Sequence, residues 1–167
     1  MPLKHSFPPI ASPDARVLVL GSLPGDRSLA ARRYYAHPQN QFWRLLSPVV
    51  GCDLAALDYD ARLAALQAAG IALWDVIGSA RRAGSTDAAI LDVEGNDLPA
   101  LIATLPRLRA IAFNGGTALK HGRALLGRDH AGPAIVALPS SSPLHTIGLA
   151  AKQPAWTALT KFLDDAA

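Results

Sequence analysis

The residues best suited to chemistry lie in a short segment that is rich in aromatic rings and amides. Residues 34–43 (YYAHPQNQFW) combine two tyrosines, a phenylalanine and a tryptophan with His37 and Asn40, in a chain that is only 6% aromatic. Aromatic faces stack on flat heterocycles, and amides bond to their polar edges. The segment is therefore suited to hold a planar, polar ring. The alternative is that Phe42 and Trp43 are core residues of the helix that follows.

A glycine-containing turn, Gly21-Ser22-Leu23-Pro24-Gly25, follows the first apolar run of the chain. Glycine lets backbone amides approach a ligand closely. The pentapeptide lacks both the G-x-G-x-x-G spacing of dinucleotide-binding loops and the lysine of a P-loop, which excludes those two sites. Taken alone, a plain tight turn is the simpler interpretation.

Further polar clusters each follow a later apolar run; they are Asp75, Asn114-Gly115-Gly116 and Ser140-Ser141-Ser142. A carboxylate accepts hydrogen bonds or acts as a base, an amide both donates and accepts, and hydroxyls between prolines can contact an anion. Each cluster also has a simpler interpretation, as a turn cap, a glycine-rich turn and a solvated loop.

Alternating strand-like and helix-like segments place these clusters at one edge of a sheet. The predicted strands are nearly continuous apolar runs, at residues 16–20, 70–74, 108–113 and 134–138. The predicted helices have apolar residues at helical spacing, at residues 40–50, 60–69, 96–105, 117–126 and 153–162. This alternation predicts an α/β fold, a three-layer α/β/α domain with a central four-stranded parallel sheet in the order 2-1-3-4. Ligands bind beyond the carboxyl ends of such strands, where all the polar clusters lie.

Length and composition limit the class of protein. The chain has 167 residues, half of them apolar, which fits a single domain with a sizeable core. One cysteine and isolated histidines give no disulfide framework or metal site, so no cofactor is expected. Without a long apolar run or a signal-like N-terminus, we expect a cytoplasmic protein that binds no membrane. Arginine supplies twelve of the sixteen cations, which favours a polyanionic partner, although it is equally typical of a GC-rich genome.

Taken together, the clusters resemble motifs of the uracil-DNA glycosylase superfamily. Residues 21–25 and 35–43 are similar to the G-x-N-P-G loop and the A-H-P-x-N-x-F-W segment of its mismatch-specific enzymes. Residues 70–75 resemble the strand whose last residue reads the base edge, and residues 138–144 (LPSSSPL) resemble the loop that grips the DNA backbone. The resemblance covers about residues 16–162 and implies that residues 1–167 form a single DNA glycosylase domain.

Departures from the mismatch-specific pattern point to one branch of the superfamily. Leu23 stands where those enzymes have the asparagine that orients the attacking water, and Leu138 or a serine replaces the histidine that opens the last motif. Hypoxanthine-DNA (deoxyinosine) glycosylases likewise lack the first asparagine, and the asparagine of the H-P-x-N segment, here Asn40, takes over. The resemblance therefore implies a glycosylase that flips out a deaminated base, hypoxanthine with uracil as a minor substrate, and leaves an abasic site. No lysine near the clusters is placed for a Schiff base, so the expected enzyme is monofunctional.

The chemistry of the reaction assigns roles to the two residues expected to be catalytic. Glycosidic cleavage passes through an oxocarbenium-like sugar while the departing base gains negative charge. Asn40 would hold the water, and ionised Asp75 would accept the N1–H of hypoxanthine, a donor that adenine lacks. The reverse assignment stays open, with Asp75 activating water and Asn40 reading the base.

The remaining expected contacts divide between the base and the DNA. The base-binding residues are Ser22, Leu23, Gly25, Tyr35 or Phe42 as the stacking ring, and Asn114. The DNA-binding residues are Ser140, Ser141, Ser142, Leu144 as a wedge, His145 and Arg81. We expect a monomer acting on DNA that contains a deaminated base. The alternatives are a uracil or thymine mismatch glycosylase, a non-catalytic binder of damaged DNA and a small-molecule nucleoside hydrolase.

Overall fold

Two sheets organise the part of the chain described by the computed structural model, residues 3–164. The strands are β1 (Leu3–His5), β2 (Val17–Gly21), β3 (Ile71–Asp75), β4 (Ile77–Arg81), β5 (Leu91–Gly95), β6 (Ala110–Asn114) and β7 (Ala134–Leu138). Four of them form a parallel sheet in the order β3-β2-β6-β7. Along the chain these are the second, first, third and fourth strands of that sheet. The predicted α/β class and central parallel sheet are confirmed.

Helices cover both faces of the parallel sheet. They are α1 (Asp26–Ala31), α2 (Phe42–Val50), α3 (Tyr59–Ala68), α4 (Leu98–Ala103), α5 (Gly116–Leu126), α6 (Leu149–Thr157) and α7 (Thr160–Leu163). Along β2, Val17 and Val19 face a core shared with α2, α3 and α6, while Leu18 and Leu20 face a core shared with α4 and α5. This alternation is why the strands are apolar throughout, since both faces of the sheet are covered. Within residues 3–164, no helix is long and apolar enough to cross a membrane.

A second, antiparallel sheet in the order β1-β4-β5 was not predicted from the sequence. Strand β4 begins two residues after β3 ends, and its residues (IGSAR) are too mixed to form an apolar run of their own. Every residue of β5 is exposed, which leaves no alternating pattern of burial to detect. The connection between β4 and β5 matters for function because it reaches the carboxyl edge of the parallel sheet.

The predicted helices are present with shifted ends. The first begins at Phe42 rather than at Asn40, and the last begins at Leu149 and is divided into α6 and α7. The N-terminal caps of α3 and α4 are Asp58 and Asp97, whose carboxylates accept the N–H groups of Ala61 and Ala100. These differences leave the strand ends, and therefore the polar clusters, where the sequence places them.

Helix α5 packs so closely on β6 that Gly122→Ala is expected to destabilise the fold. An added Cβ would overlap Cε1 of Phe113, a ring that is fully buried and has no room to move aside. Overpacking of this kind costs about 1–3 kcal/mol, which exceeds the gain of up to about 1 kcal/mol from helix propensity. We expect a lower free energy of unfolding in urea. Gly116→Ala is the control: it lies in the same helix, an added Cβ there has nothing within 4 Å, and it should not destabilise the protein. Equal free energies of unfolding for the two variants would contradict the close packing at Gly122.

Candidate active site

A cleft of about 850 Å³ opens at the carboxyl ends of the parallel strands. The loop after β2, the segment 34–40, the ends of β3 and β6, the β4–β5 connection and the loop after β7 form its walls. The polar clusters predicted from the sequence therefore meet in one place. The predicted residues that line the cleft are Ser22, Leu23, Gly25, Tyr35, Asn40, Asp75, Asn114, Ser140, Ser141, Ser142, Leu144 and His145.

Asp75 is the buried carboxyl group of the cleft. Its side chain lies at the end of β3 and is only 3% exposed. Burial and, to a smaller extent, the charge of Asp87 raise the pKa of Asp75 from 3.8 to about 7, and the charge of Arg82 opposes the increase. Its Oδ2 atom has no hydrogen-bond partner among the described residues. Near neutral pH the group can therefore offer a ligand either an acceptor or a donor.

Tyr35 supplies the aromatic wall of the cleft. Its ring stacks on Phe42 with a centroid separation of 3.8 Å and an interplanar angle of 13°. Phe42 is fully buried behind it and does not line the cleft, so of the two predicted stacking rings only Tyr35 can meet a ligand there. The backbone of Tyr35 has φ +52°, a left-handed conformation that is strained for a tyrosine. Burial raises the pKa of its hydroxyl, which therefore keeps its proton.

Asn40 lies beside the first turn of α2, where its side chain is held in place. Its Oδ1 accepts the backbone N–H of Phe42 at 3.0 Å, and its own N–H donates to the carbonyl of His37 at 3.0 Å. The first helical N–H is thereby satisfied. The second lone pair of Oδ1 and the amide hydrogens remain for a ligand or a water in the cleft.

Asn114 lines the cleft and joins the end of β6 to the loop that contains Ser140, Ser141 and Ser142 (the serine loop). Its Oδ1 accepts the N–H of Ser141 at 2.8 Å, and its Nδ2 donates to Ser141 Oγ at 2.8 Å and to Tyr35 Oη at 3.3 Å. Both amide hydrogens are used in these bonds, and Ser141 is only 1% exposed. These bonds position Tyr35 and the loop, and the contacts of Asn114 with the base and of Ser141 with phosphate stay predictions.

Ser140 and Ser142 present hydroxyl hydrogens at the edge of the cleft. Ser140 Oγ accepts the N–H of Ser142 at 3.1 Å, and Ser142 Oγ accepts the N–H of Leu144 at 3.2 Å. Each hydroxyl keeps its hydrogen to donate, as contact with an anion requires. Leu144 is 67% exposed, which is unusual for a large apolar side chain. The bond from the Leu144 N–H to Ser142 Oγ holds the backbone of the turn that carries this side chain.

A buried lysine behind the serine loop was not predicted from the sequence. Lys152 is fully buried in α6, and its Nζ donates to Gln41 Oε1 at 2.8 Å and to the carbonyl of Ser142 at 3.2 Å. Burial lowers its pKa. Because lysine is rarely buried, the residue type alone does not predict this position. The bonds to Gln41 and Ser142 show that Lys152 supports the serine loop from behind.

Of the paired arginines at the end of β4, the second and not the first contacts a wall of the cleft. Arg81 lies 3.5 Å from Asp92, and neither residue lines the cleft. Arg82 is 1% exposed and donates to the carbonyls of Pro24 and Gly84. The predicted role of Arg81 at the DNA therefore has no support from its position. No three His, Cys, Asp or Glu side chains in the described residues are grouped so that they could hold a metal ion.

The raised pKa of Asp75 predicts that Asp75→Asn stabilises the protein above neutral pH. An unfolded aspartate has the ordinary pKa of 3.8 and the folded one about 7, so the folded protein binds more protons between these values and stability falls as pH rises through them. Asparagine does not ionise, so the Asp75→Asn variant does not lose this stability as pH rises. We expect a gain of about 4 kcal/mol, or about 10 °C in Tm, at pH 8, and a gain that shrinks toward pH 4. Thermal unfolding across pH measures it; a gain independent of pH would contradict the raised pKa.

Comparisons with known proteins agree with this geometry. A family model described as the uracil DNA glycosylase superfamily matches residues 8–160. A protein of Methanosarcina barkeri named hypoxanthine DNA glycosylase is 44% identical over 112 residues, which are 67% of this chain and 71% of that protein. A protein of Methanosarcina acetivorans with the same name is 39% identical over 140 residues, 84% of this chain and 87% of that protein.

A solved structure is similar over nearly the whole chain. It is the solution NMR structure of a candidate uracil DNA glycosylase from Methanosarcina acetivorans, with a TM-score of 0.85 and 35% identity, covering 96% of this chain and 98% of the other. The family match also spans the segments that form the cleft, from the loop after β2 to the loop after β7. The chain belongs to the uracil DNA glycosylase superfamily.

Proposed function

We propose that this protein is a monofunctional DNA glycosylase that removes hypoxanthine from DNA by hydrolysis, with uracil as a minor substrate. The names of the two Methanosarcina relatives support the choice of base. The observation that carries the reaction is that Asn40, Asp75 and the ring of Tyr35 line one cleft at the strand ends. Such an enzyme acts on DNA as a monomer and leaves an abasic site.

The base enters the cleft against Tyr35 and is read by Asp75. An ionised Asp75 accepts the N1–H of hypoxanthine or the N3–H of uracil, whereas adenine has no hydrogen at N1 and would leave a buried carboxylate unpaired. Backbone amides of the Ser22–Gly25 loop meet the base carbonyl. Asp75 is almost completely buried and Asn40 is partly exposed, which favours Asp75 as the group that meets the deeply inserted base.

Asn40 positions the water that attacks the sugar. Its Oδ1 is held by the Phe42 N–H and keeps a lone pair for a water hydrogen, so the water can be oriented beneath the anomeric carbon. An amide is a weak base, but proton transfer late in the reaction requires orientation more than basicity. The DNA phosphates help to stabilise the oxocarbenium-like sugar, and hydrogen bonds stabilise the charge on the departing base.

The serine loop holds the DNA backbone beside the flipped nucleotide. Ser140 and Ser142 donate their hydroxyl hydrogens to phosphate oxygens, and His145 lies next to them in the cleft. The exposed side chain of Leu144 fills the space that the flipped nucleotide leaves in the duplex. These contacts require a polymer and not a free nucleoside.

A strand-scission assay with a metal chelator present tests the proposal. End-labelled duplexes carry one deoxyinosine, uracil or xanthine, or no lesion, and are treated with hot alkali after incubation. Scission at inosine that depends on alkali supports the proposal. Scission at uracil alone would overturn the choice of hypoxanthine. Tight binding without scission would indicate a protein that binds damaged DNA without cleaving it. Turnover of free inosine without action on duplexes would indicate a nucleoside hydrolase.

A further inference from the structure

The connection between β4 and β5 is fastened to the loop that follows β2. Arg82 donates to the carbonyl of Pro24, Ser22 Oγ donates to Asp87 Oδ1 at 2.8 Å, and the N–H of Asp26 donates to Ser85 Oγ at 2.9 Å. Residues 85–88 also line the cleft. The connection therefore forms one wall of the site and fixes the shape of the Ser22–Gly25 loop.

Arg82 brings a buried positive charge to this wall. Its side chain is excluded from solvent, its Nε donates to the carbonyl of Gly84 at 3.0 Å, and its Nη1 lies 3.6 Å from Asp87 Oδ1. Nη1 has no hydrogen-bond partner among the described residues. Guanidinium remains charged in proteins, and burying it is unfavourable unless nearby negative charge offsets the loss of water. Such charge is supplied by Asp26, Asp75 and Asp87.

Two opposite charges act on the Asp75 carboxyl. The charge of Asp87 raises its pKa and that of Arg82 lowers it. Tyr34 and Tyr35 also face Asp75, but burial raises the pKa of both hydroxyls and they stay neutral. Asp26 faces Arg82 and lies 2.6 Å from the Lys4 ammonium, which offsets its charge. Arg82 therefore favours the ionised form of Asp75, and Asp87 favours its protonated form.

We propose that Arg82 and Asp87 are positioning residues for base recognition, which hold the Ser22–Gly25 loop and decide by their opposite charges whether Asp75 accepts or donates a hydrogen bond. The proposal rests on the proposed function, because it concerns the base that Asp75 reads. Asp87 also receives the hydroxyl hydrogen of Ser22, which leaves only lone pairs of Ser22 Oγ for the cleft. An acceptor-rich edge of this kind fits the N–H of hypoxanthine and rejects the bare N1 of adenine.

Variants of opposite charge test the proposal through the pH dependence of inosine excision. Under single-turnover conditions, excision rises with pH through about 7 as Asp75 ionises. Asp87→Asn keeps an acceptor for Ser22 and is expected to move the midpoint to lower pH, whereas Arg82→Met moves it to higher pH. Each shift changes the relative rate at pH 6 by roughly threefold, in opposite directions. Asp92→Asn, the same charge change on this hairpin outside the cleft, should leave the profile unchanged.

A titration that needs no activity separates this proposal from the proposed function. The Asp75 carboxyl is followed by ¹³C NMR in aspartate-labelled protein, with Asp75→Asn to assign the signal. We expect the same opposite shifts of its midpoint in the two variants. Midpoints that stay fixed, or move in one direction in both, would overturn the proposal even if inosine is excised. If Arg82→Met does not fold, Asp87→Asn alone decides. Opposite shifts without excision from any duplex would retain the positioning roles and overturn the proposed function.

Discussion

Asn40→Ser is expected to lower the single-turnover rate of hypoxanthine release by roughly 100- to 1,000-fold without loss of stability. A serine hydroxyl can accept a backbone N–H two residues ahead, as an asparagine side chain does. In this chain Ser140 and Ser142 already accept the N–H two residues ahead, the bond that Asn40 makes to Phe42. A serine at position 40 therefore keeps the helix start. Its shorter side chain does not reach a water in the cleft.

Two further variants separate the roles of Asn40. Asn40→Asp keeps oxygen acceptors for both the Phe42 N–H and the water, so it should retain more activity than Asn40→Ser. Asn40→Ala loses both functions and should also be less stable, by about 1 kcal/mol. DNA affinity measured by fluorescence anisotropy should stay close to the wild-type value in all three. Full activity of Asn40→Ser would assign the water to another group, with Asp75 the first candidate.

Gly21→Ala is expected to reduce inosine excision by roughly 10- to 100-fold. A Cβ at Gly21 would lie 2.6 Å from Asp75 Oδ1 and 2.7 Å from Tyr35 Oη, both far inside contact distance. The carboxyl that reads the base and the ring that stacks on it would both be displaced. Small errors of placement at a reacting site have effects of this size. Excision is measured under single-turnover conditions beside thermal unfolding, so that a loss of fold is recognised.

Removing one of the two clashes tests the cause of this loss. Tyr35→Phe deletes Oη, so the double variant Gly21→Ala, Tyr35→Phe should be more active than Gly21→Ala alone, although less active than wild type because the clash with Asp75 remains. Gly116→Ala has nothing within 4 Å and serves as the matched control, with unchanged excision. Additive effects of the two substitutions would contradict the proposed contact.

The sequence was sufficient to predict the parallel sheet and the place of the cleft. Both signals are local: buried central strands are continuous apolar runs, and the polar residues after them must meet where parallel strands end. The apolar runs that became β2 and β6 are buried at every position. The aromatic segment 34–43, selected from the sequence as suited to hold a planar ring, contributes residues 34, 35, 37, 39 and 40 to the cleft.

The features that could not be predicted from the sequence depend on contacts between residues far apart in the chain. Arg82 and Lys152 look like surface cations, and their burial depends in part on acceptors 58 and 111 residues away, Pro24 and Gln41. The choice between Tyr35 and Phe42 as the stacking ring depends on tertiary packing, which buries Phe42 behind Tyr35 and which no local pattern indicates. The antiparallel hairpin that carries Asp87 has an exposed second strand and so no pattern of burial.

The proposed glycosylase reaction is tested most directly by whether the protein releases free hypoxanthine from a duplex that contains one deoxyinosine. The protein in excess is incubated with the duplex and a metal chelator, and the released base is quantified by mass spectrometry against wild-type and Asn40→Ser protein. We expect one hypoxanthine per lesion from the wild type, an intact sugar-phosphate backbone until alkali is added, and almost no hypoxanthine from Asn40→Ser. A duplex that is bound but keeps its hypoxanthine would contradict the proposed reaction.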